Sequence, residues 1–229
     1  MTVTFALDTS SASTCMAISK NGRVFAVASS STDSHAESMA ALFQKLLSEA
    51  VCTARDIEQI IFGSGPGSFT GLRIGLGFVK GLALGLNLSV EKMSSMLALA
   101  AGLKLDFKDS DVICILTDAR RAECFAALFE RRAGGWIQIG ATEIVASSDV
   151  QNWTHQKLPS GQISQLNYYA YCLSNLPFQI KEIRAETNMA VSLVELAQTR
   201  GSSRSSKIEL SELEPDYIRL VAAKKISER

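Results

Sequence analysis

The most unusual segment of the chain is a run of glycines and hydroxyl residues from Gly63 to Gly71, between a strand-like and a helix-like apolar run. A strand, a glycine-rich turn and a helix N-terminus together present backbone N–H groups where an anion can bind. The glycine spacing is not G-x-G-x-x-G, no G-K-[ST] is present, and no G-x-S-x-G surrounds Ser68. A dinucleotide site, a Walker loop and a serine nucleophile are therefore not supported. The segment is either a phosphate loop or a tight turn in which Thr70 caps the next helix.

A second polar turn ends the first apolar run of the chain. Its residues are Asp8, Thr9, Ser10 and Ser11. A carboxylate and hydroxyls at a strand end can hold a phosphate with its Mg²⁺, or they can simply turn the chain. The sequence leaves both interpretations open.

Residues suited to metal binding or acid–base chemistry are sparse. The two histidines, His35 and His155, are 120 positions apart, and neither belongs to an H-x-x-x-H or H-E-x-x-H motif. A zinc or iron site of the usual kind is therefore not expected. A charged cluster follows a later strand-like run, and it forms either a site or a solvated ion-pair network. Its members are Asp118, Arg120, Arg121 and Glu123.

Composition limits the partners of the 229-residue chain. It is 47% apolar and 20% charged, with 23 basic and 23 acidic residues, so its formal net charge is zero. No overall field favours nucleic acid or an anionic membrane, and RNA contact would need a local patch or a partner. The five cysteines include no C-x-x-C pair, which predicts reduced thiols in the cytoplasm. The apolar run from Gly71 to Leu88 contains Arg73, Lys80 and five glycines, which disfavours a membrane span.

The elements that position these residues begin with three strands and a helix. The predicted strands are 3–8, 14–20 and 23–29. Asn21-Gly22 predicts a type I′ hairpin between the last two, because both residues accept a positive φ. A capping box at Ser34 and Glu37 and an apolar stripe with helical spacing then predict a helix over 34–50.

Strands and helices then alternate. We predict strands over 57–62 and 89–93, each followed by a helix, over 72–86 and 94–104. In the helix over 72–86, glycines recur at four-residue spacing, at Gly77, Gly81 and Gly85. Each costs a helix about 1 kcal/mol relative to alanine. Such glycines indicate that a sheet, a partner helix or a ligand lies against the helix backbone.

The second half repeats this order. It predicts a strand over 112–117, a hairpin around Gly134-Gly135 and a helix from Asn188 to Gln198, with a serine-rich loop over 201–206. Residues 147–186 show no pattern that places elements. The fold class is therefore α/β, with two lobes over 1–105 and 106–229 and a C-terminal segment able to return to the first lobe.

One motif resembles a known family. Residues 65–75 read G-P-G-S-F-T-G-L-R-I-G, which resembles the signature of the TsaB (YeaZ-type) family of bacterial tRNA threonylcarbamoyladenosine biosynthesis proteins. The segments at 6–10, 35–37, 118–123 and 215–219 resemble other motifs of that family in order and distance, with Ala36 replacing a serine. The match is strong over 3–131 and weak across 147–186.

The resemblance implies a fold of the actin/Hsp70/sugar-kinase type (ASKHA), with mixed sheets flanked by helices. It implies a role in placing threonylcarbamoyl on the adenosine beside the anticodon of tRNAs that read codons beginning with adenine. It also implies a vestigial phosphate or nucleotide loop and no cofactor. The residues of that loop are Asp8, Thr9, Ser10, Gly65, Gly67 and Ser68.

The resemblance further implies a non-catalytic subunit that pairs with the catalytic paralogue TsaD, acts with TsaE, contacts tRNA through the complex and self-associates when alone. The metal-binding histidine pair of TsaD follows the strand equivalent to 89–93, where this chain has Ser94, Ser95 and Ala98. We therefore expect no metal site and no catalytic residue. The docking surface would lie on the helices over 34–50 and 70–86. Its candidate residues are His35, Glu37, Met39, Phe43, Leu46, Thr70, Arg73, Ile74, Gly77 and Gly81. The alternative is that the stripe of Met39, Phe43 and Leu46 faces the sheet.

Two other functions remain open on the residues alone. The first is a small-molecule kinase of the same fold, which would bind ATP at Asp8, Thr9 and the Gly65–Gly67 turn and would need Asp118 as its catalytic carboxylate. The second is a glycoprotease-like peptidase, which the missing histidine pair disfavours.

Overall fold

The computed structural model describes residues 2–29, 35–133, 135–163, 166–173, 176–183, 188–200 and 209–218. The first sheet has the order β3-β2-β1-β4-β5. Its strands are β1 (Thr4–Asp8), β2 (Cys15–Lys20), β3 (Arg23–Ala28), β4 (Gln59–Gly63) and β5 (Val90–Met93). Strands β1 to β3 are antiparallel, and β4 and β5 run parallel to β1. Asn21 and Gly22 have φ of 52° and 76°, so the predicted hairpin turn is confirmed.

Two helices cover one face of the first sheet. They are α1 (His35–Glu49) and α2 (Phe69–Leu86). Phe5 of β1 packs edge-on against Phe43 at 5.1 Å between ring centroids, and Phe43 packs in the same way against Phe78 at 5.3 Å. Aromatic pairs prefer this geometry. The core of the first lobe therefore lies between these helices and the sheet.

The apolar stripe of α1 faces this core rather than the surface. Met39, Phe43 and Leu46 are 4%, 7% and 0% exposed. The prediction that these three side chains contact a partner is therefore wrong. The helical period identified the stripe, but the stripe is the face that covers the sheet.

Helix α2 is apolar on its outer side as well. Among the described residues it is the one helix whose length and composition would allow it to cross a membrane, and 28% of it is buried. Its buried residues, which include Leu72, Val79 and Ala83, pack in the first core. The N-cap is Ser68, whose hydroxyl accepts a hydrogen bond from the Gly71 N–H at 3.1 Å. The alternative that Thr70 caps this helix is therefore wrong.

The second sheet repeats the topology of the first, with the order β8-β7-β6-β9-β10. Its strands are β6 (Val112–Arg120), β7 (Glu123–Arg132), β8 (Gly135–Ala146), β9 (Asn167–Tyr171) and β10 (Lys181–Ile183). Strands β6 to β8 are antiparallel, and β9 and β10 are parallel to β6. The predicted two-lobed α/β architecture with mixed sheets is thus confirmed.

The sequence left residues 147–186 unplaced, and the described parts of this range form the outer layer and edge of the second sheet. Two short helices, α4 (Val150–Lys157) and α5 (Ser160–Ile163), precede β9 and β10. Trp153 of α4 is buried in the outer core of the second lobe, and its indole N–H donates to Glu143 Oε2 at 3.1 Å.

Two further helices fill the space between the sheets. They are α3 (Ser95–Gly102) and α6 (Met189–Arg200). The two helices pack on each other. Helix α6 also packs against β1 and β2, and α3 packs against β6 and β8. Asn188 caps α6 as expected, since its side-chain oxygen accepts from the Ala190 N–H at 3.1 Å. The boundary at 105/106 stays a prediction, and Ser34 and the loop over 201–206 lie outside the described residues.

Candidate functional site

A cleft of about 580 Å³ opens between the two lobes. Polar turns of both sheets line it, and apolar side chains from α3 and α6 cover its inner wall. The first lobe contributes Ser10, Ser11, Gly67, Ser68 and Thr70, and the second contributes Thr117, Asp118, Arg120, Arg121 and Tyr171. Both polar turns selected from the sequence therefore meet at one site, together with the charged cluster at 118–123.

Asp8 holds the first polar turn together from within. The residue is fully buried, and Oδ1 accepts from the Ser10 N–H at 2.9 Å and the Ser10 hydroxyl at 2.7 Å. Its other oxygen, Oδ2, accepts from the Ser95 hydroxyl at 2.5 Å. Both carboxylate oxygens are thus bonded to protein groups. This arrangement fits an internal brace better than a ligand for Mg²⁺.

Close approach of the first polar turn explains two glycines of the Gly63–Gly71 segment. A Cβ at Gly63 would lie 2.0 Å from Asp8 Oδ2, and a Cβ at Gly67 would lie 2.1 Å from the Ser10 carbonyl oxygen. The Ser10 carbonyl in turn accepts from the Ser68 N–H at 2.7 Å. The two predicted loop segments therefore pack directly against each other, which requires glycine.

Ser95 joins this packed turn to α3. Its hydroxyl accepts from the Gly65 N–H at 3.0 Å while it donates to Asp8, and its own N–H donates to the Gly65 carbonyl at 2.9 Å. In the sequence, Ser95 stands out only as a residue without a metal-binding nitrogen. Its actual contacts span 87 positions of sequence, and local pattern gives no signal for them.

The C-terminal residues 213–218 cross the edge of the cleft, and we call them the strap. Asp216 Oδ1 pairs with Lys92 Nζ at 2.7 Å, and Oδ2 accepts from the buried Ser64 hydroxyl at 2.5 Å. The Asp216 N–H also donates to the Ser64 carbonyl at 2.8 Å. The strap is therefore fixed to the ends of β4 and β5.

An aromatic and cationic stack connects the strap to the start of α2. The ring centroids of Phe69 and Tyr217 are 5.3 Å apart. The Arg73 guanidinium lies 3.9 Å from the Phe69 centroid, and its Nε donates to the Tyr217 hydroxyl at 3.2 Å. Cation–π contacts of this kind stabilise by up to about 1 kcal/mol at exposed positions. The one sequence signal for this stack is the Pro215–Arg219 motif.

The second-lobe wall has an unusual backbone. Arg120, Arg121 and Ala122 have φ of 67°, 59° and 57°, a left-handed conformation that is rare for non-glycine residues. Asp118 accepts from the Arg120 N–H at 2.7 Å and pairs with its guanidinium at 3.2 Å. The charged cluster is thus a tight turn that carries its arginines at the cleft.

Burial raises the pKa of two groups beside the cleft, Cys15 and Tyr171. Desolvation raises the pKa of Cys15 to about 12, with a smaller contribution in the same direction from Asp8. Burial likewise raises the pKa of Tyr171, whose hydroxyl bonds to the Ser11 side chain. Both groups are neutral at physiological pH. The Tyr171–Ser11 contact joins the second lobe to the first polar turn.

The remaining interface candidates lie on the outer side of the first lobe. Arg73, Gly77 and Gly81 are exposed along one side of α2, with Thr70 exposed at its start. Glu37 is exposed on α1, and Ile74 is partly buried against the core. The His35 side chain lies outside the described residues.

Across the described parts of the chain, no group of three or more His, Cys, Asp or Glu side chains is placed to hold a metal ion. The site is instead a cleft between two lobes of equal topology, framed by the turns that follow β1 and β6. These features define an α/β protein of the actin/Hsp70/sugar-kinase type.

The family follows from comparison with known proteins. The family model described as TsaD, tRNA N6-adenosine threonylcarbamoyltransferase, matches residues 26–223. The chain belongs to this family. Within it, the chain is of the TsaB/YeaZ type, as its motifs predicted.

The relatives include two curated proteins named tRNA threonylcarbamoyladenosine biosynthesis protein TsaB. The Escherichia coli protein is 30% identical over 153 residues, which cover 67% of this chain and 66% of that protein. The Bacillus subtilis protein is 32% identical over 105 residues, which cover 45% of this chain and 44% of that protein. The chain therefore aligns with less than two thirds of the length of either relative.

The fold is shared with two Pseudomonas aeruginosa structures. One, described as similar to the peptidase YeaZ, has a TM-score of 0.74 and 24% identity, and covers 96% of this chain and 100% of its own. The other, YeaZ, has a TM-score of 0.72 and 22% identity, with coverage of 95% and 100%. At this level of identity the comparison concerns the fold.

Proposed function

We propose that this chain is a non-catalytic scaffold subunit in tRNA threonylcarbamoyladenosine biosynthesis. It pairs with a TsaD-type catalytic subunit in the cytoplasm, assembles with a TsaE-type protein and contacts tRNA through that complex. The product is threonylcarbamoyladenosine beside the anticodon of tRNAs that read codons beginning with adenine. Family membership and the names of its TsaB relatives support the pathway.

The observation that carries the scaffold role is the outer side of α2, which we call the glycine face. It consists of Arg73, Gly77, Gly81, Leu84 and Gly85. At all three glycines an added Cβ would meet no atom within 4 Å, and Leu84 is 76% exposed. Alanine would fit there and would favour the helix by about 1 kcal/mol at each position. Nothing in the described residues therefore requires these glycines, whereas close approach of another helix would.

The same face supplies the apolar area that a partner needs. Beyond Arg73, the exposed row of Gly77, Gly81, Leu84 and Gly85 is small and apolar. It allows a second backbone to pack closely, and burial of Leu84 would add hydrophobic stabilisation. Self-association through the same face would compete with binding of the TsaD-type subunit. With Met39, Phe43 and Leu46 assigned to the core, the glycine face becomes the centre of the proposed docking surface.

The β5–α3 junction supports the non-catalytic assignment. Ser95 bonds to Asp8, and the buried Ala98 lies within α3. A metal site here would require imidazole or carboxylate ligands in place of a hydroxyl and a methyl group. The kinase alternative depends on Asp118, whose carboxylate is paired with Arg120 in this structure.

The test is an omission assay. TsaD, TsaE, the threonylcarbamoyl-adenylate-forming enzyme, tRNA, threonine, bicarbonate and ATP are incubated with and without this chain, and modified adenosine is counted. We expect modification only when the chain is present, and none from the chain without TsaD. Equal modification in its absence would overturn the proposal.

A matched pair of variants locates the interface in the same assay. Leu84→Glu should abolish both pairing with TsaD and modification, because it places a charge on the glycine face. Ile137→Glu makes the same change at a residue of β8 that is 47% exposed, and it should leave both intact. Loss of pairing in both variants, or in neither, would contradict the assignment of the glycine face.

A further inference from the structure

A fully buried hydroxyl beside α2 has no hydrogen-bond partner. Thr9, the residue after β1, is inaccessible to solvent, and within the described residues its Oγ1 atom makes no hydrogen bond. Buried polar atoms in folded proteins are almost always paired, and an unpaired hydroxyl keeps its full cost of desolvation. The free chain therefore carries an unfavourable buried group at this position, although Asp8 satisfies the other donors of the same turn.

The inter-lobe cleft does not account for this hydroxyl. Ser10 and Ser11 line the cleft, but Thr9 is not among the described residues that line it. A buried water needs two or more polar partners, whereas the other side chain beside Thr9 at Gly75 is the apolar ring of Phe62. The partner of the Thr9 hydroxyl must therefore come from the protein.

The hydroxyl faces the backbone of α2. A Cβ at Gly75 would lie 2.2 Å from Thr9 Oγ1, so no side chain of α2 separates the two at this point. Gly71, one turn earlier, is buried as well. The backbone carbonyls of a helix each keep a second lone pair after accepting their helical hydrogen bond. The first two turns of α2 therefore present hydrogen-bond acceptors beside Thr9.

The opposite side of α2 is the glycine face. An added Cβ on any of its glycines would meet nothing within 4 Å, so no described residue holds the helix from the outside there. The start of α2 is fixed to the first polar turn, because the Ser68 N–H donates to the Ser10 carbonyl at 2.7 Å. A partner on the glycine face would therefore pack against the outer side of a helix whose inner side contacts Thr9.

We propose that Thr9 is a positioning residue for the docking of the partner. When the TsaD-type subunit packs on the glycine face, α2 settles onto Thr9, and a backbone carbonyl of its first two turns accepts a hydrogen bond from the hydroxyl. This inference rests on the proposed function, because it takes the TsaD-type subunit as the occupant of the glycine face. Since the bond forms only in the complex, it contributes to affinity and not to the stability of the free chain.

The test measures affinity for TsaD and thermal unfolding in the same variants. Thr9→Val keeps the side-chain shape and removes the hydroxyl. We expect it to weaken pairing about fivefold in a calorimetric titration with TsaD, while the thermal midpoint of the isolated variant is equal to or above that of the unmodified chain. Thr9→Ser, which keeps the hydroxyl, should bind within about twofold of the unmodified chain. Undiminished affinity in Thr9→Val, or a thermal midpoint several degrees lower, would overturn the inference.

Thr154→Val is the matched control. Thr154 is also fully buried, but it lies in α4 of the second lobe, where its hydroxyl donates to the Gln151 carbonyl at 2.8 Å and lies 2.8 Å from the Tyr168 hydroxyl. Its replacement should lower the thermal midpoint by about 2–4 °C and leave the affinity for TsaD unchanged. The two variants thus separate an effect on pairing from an effect on stability.

Methyl NMR gives an independent measurement. The Thr9 methyl signal should shift when TsaD binds, because α2 moves against it, whereas the Thr154 methyl signal should not. An unshifted Thr9 methyl in a chain that pairs with TsaD would overturn this inference alone. Failure of the unmodified chain to pair with TsaD would overturn the proposed function and this inference together.

Discussion

Asp8 and Asp118 occupy equivalent positions in the two sheets. Each lies near the end of a central strand and pairs across an antiparallel ladder with a cysteine, Asp8 with Cys15 and Asp118 with Cys124. Their surroundings differ. Asp8 is fully buried and bonded to Ser10 and Ser95, whereas the Asp118 side chain is 32% exposed and pairs with Arg120. The aspartate at this position is therefore an internal brace in the first lobe and part of a solvent-facing turn in the second.

Replacing Asp8, the internal brace, should destabilise the first lobe. Asp8→Ala would leave the Ser10 N–H, the Ser10 hydroxyl and the Ser95 hydroxyl without their acceptor. We expect a loss of about 3 kcal/mol in the free energy of unfolding, because unpaired buried donors keep their full desolvation cost. Urea denaturation measures this loss. Asp109→Ala, at an exposed position, is the control, and an equal effect of the two variants would contradict the bracing role.

Two glycines of α2, half a turn apart, should respond to alanine with opposite signs. A Cβ at Gly75 would lie 2.2 Å from Thr9 Oγ1, whereas a Cβ at Gly77 would meet nothing within 4 Å. Gly75→Ala should therefore lower the free energy of unfolding by about 1–3 kcal/mol through overpacking. Gly77→Ala should raise it by up to about 1 kcal/mol through helix propensity. Thermal unfolding of the two variants gives the comparison, and a shared sign would show that the packing of α2 differs from that described.

The sequence predicted local features of the fold but not which side of a helix is buried. Helix period, hairpin turns and caps are local, so the Asn21-Gly22 turn and the Asn188 cap were correctly placed. The sequence did not show which side of α1 meets the sheet, so it left open whether Met39, Phe43 and Leu46 face the core or a partner. Short elements such as α5 and β10 carry too few residues for a period to appear.

The candidate site was only partly predictable for a similar reason. Both polar turns were found because glycine and hydroxyl residues cluster locally. Their bonding was not found, since Ser95 lies 87 positions from Asp8 and Asp216 lies 152 positions from Ser64. Long-range hydrogen bonds depend on the assembled fold.

Alkaline pH should destabilise the chain partly through Cys15. Its pKa in the folded state is raised from 9.0 to about 12, so the unfolded state releases this proton first. The contribution is constant below about pH 9, and stability falls as pH rises from there towards 12. The loss by pH 10.5 is about 2 kcal/mol. The measurement is the free energy of unfolding from pH 8 to 10.5 for the wild type and Cys15→Ala, and an identical pH dependence would contradict the shift.

Asp216 should control whether the strap stays in place. Its carboxylate joins Lys92 and the buried Ser64 hydroxyl, and the next residue, Tyr217, stacks on Phe69. Asp216→Ala would remove the ion pair with Lys92 and release the strap from the ends of β4 and β5, while the Ser64 hydroxyl keeps the Met93 carbonyl as an acceptor at 3.0 Å. We expect a loss of about 1–3 kcal/mol, with faster hydrogen exchange over 213–218 than over β4.

The neighbouring Glu214 provides the control for this effect, because it is exposed on the same strap. Glu214→Ala should leave both the free energy of unfolding and the exchange rates unchanged. Because local opening needs less free energy than global unfolding, exchange in the Asp216→Ala variant should rise in the strap while the sheet stays protected. Equal protection of the strap in both variants would mean that the Tyr217 stack, rather than Asp216, holds the strap against the first lobe.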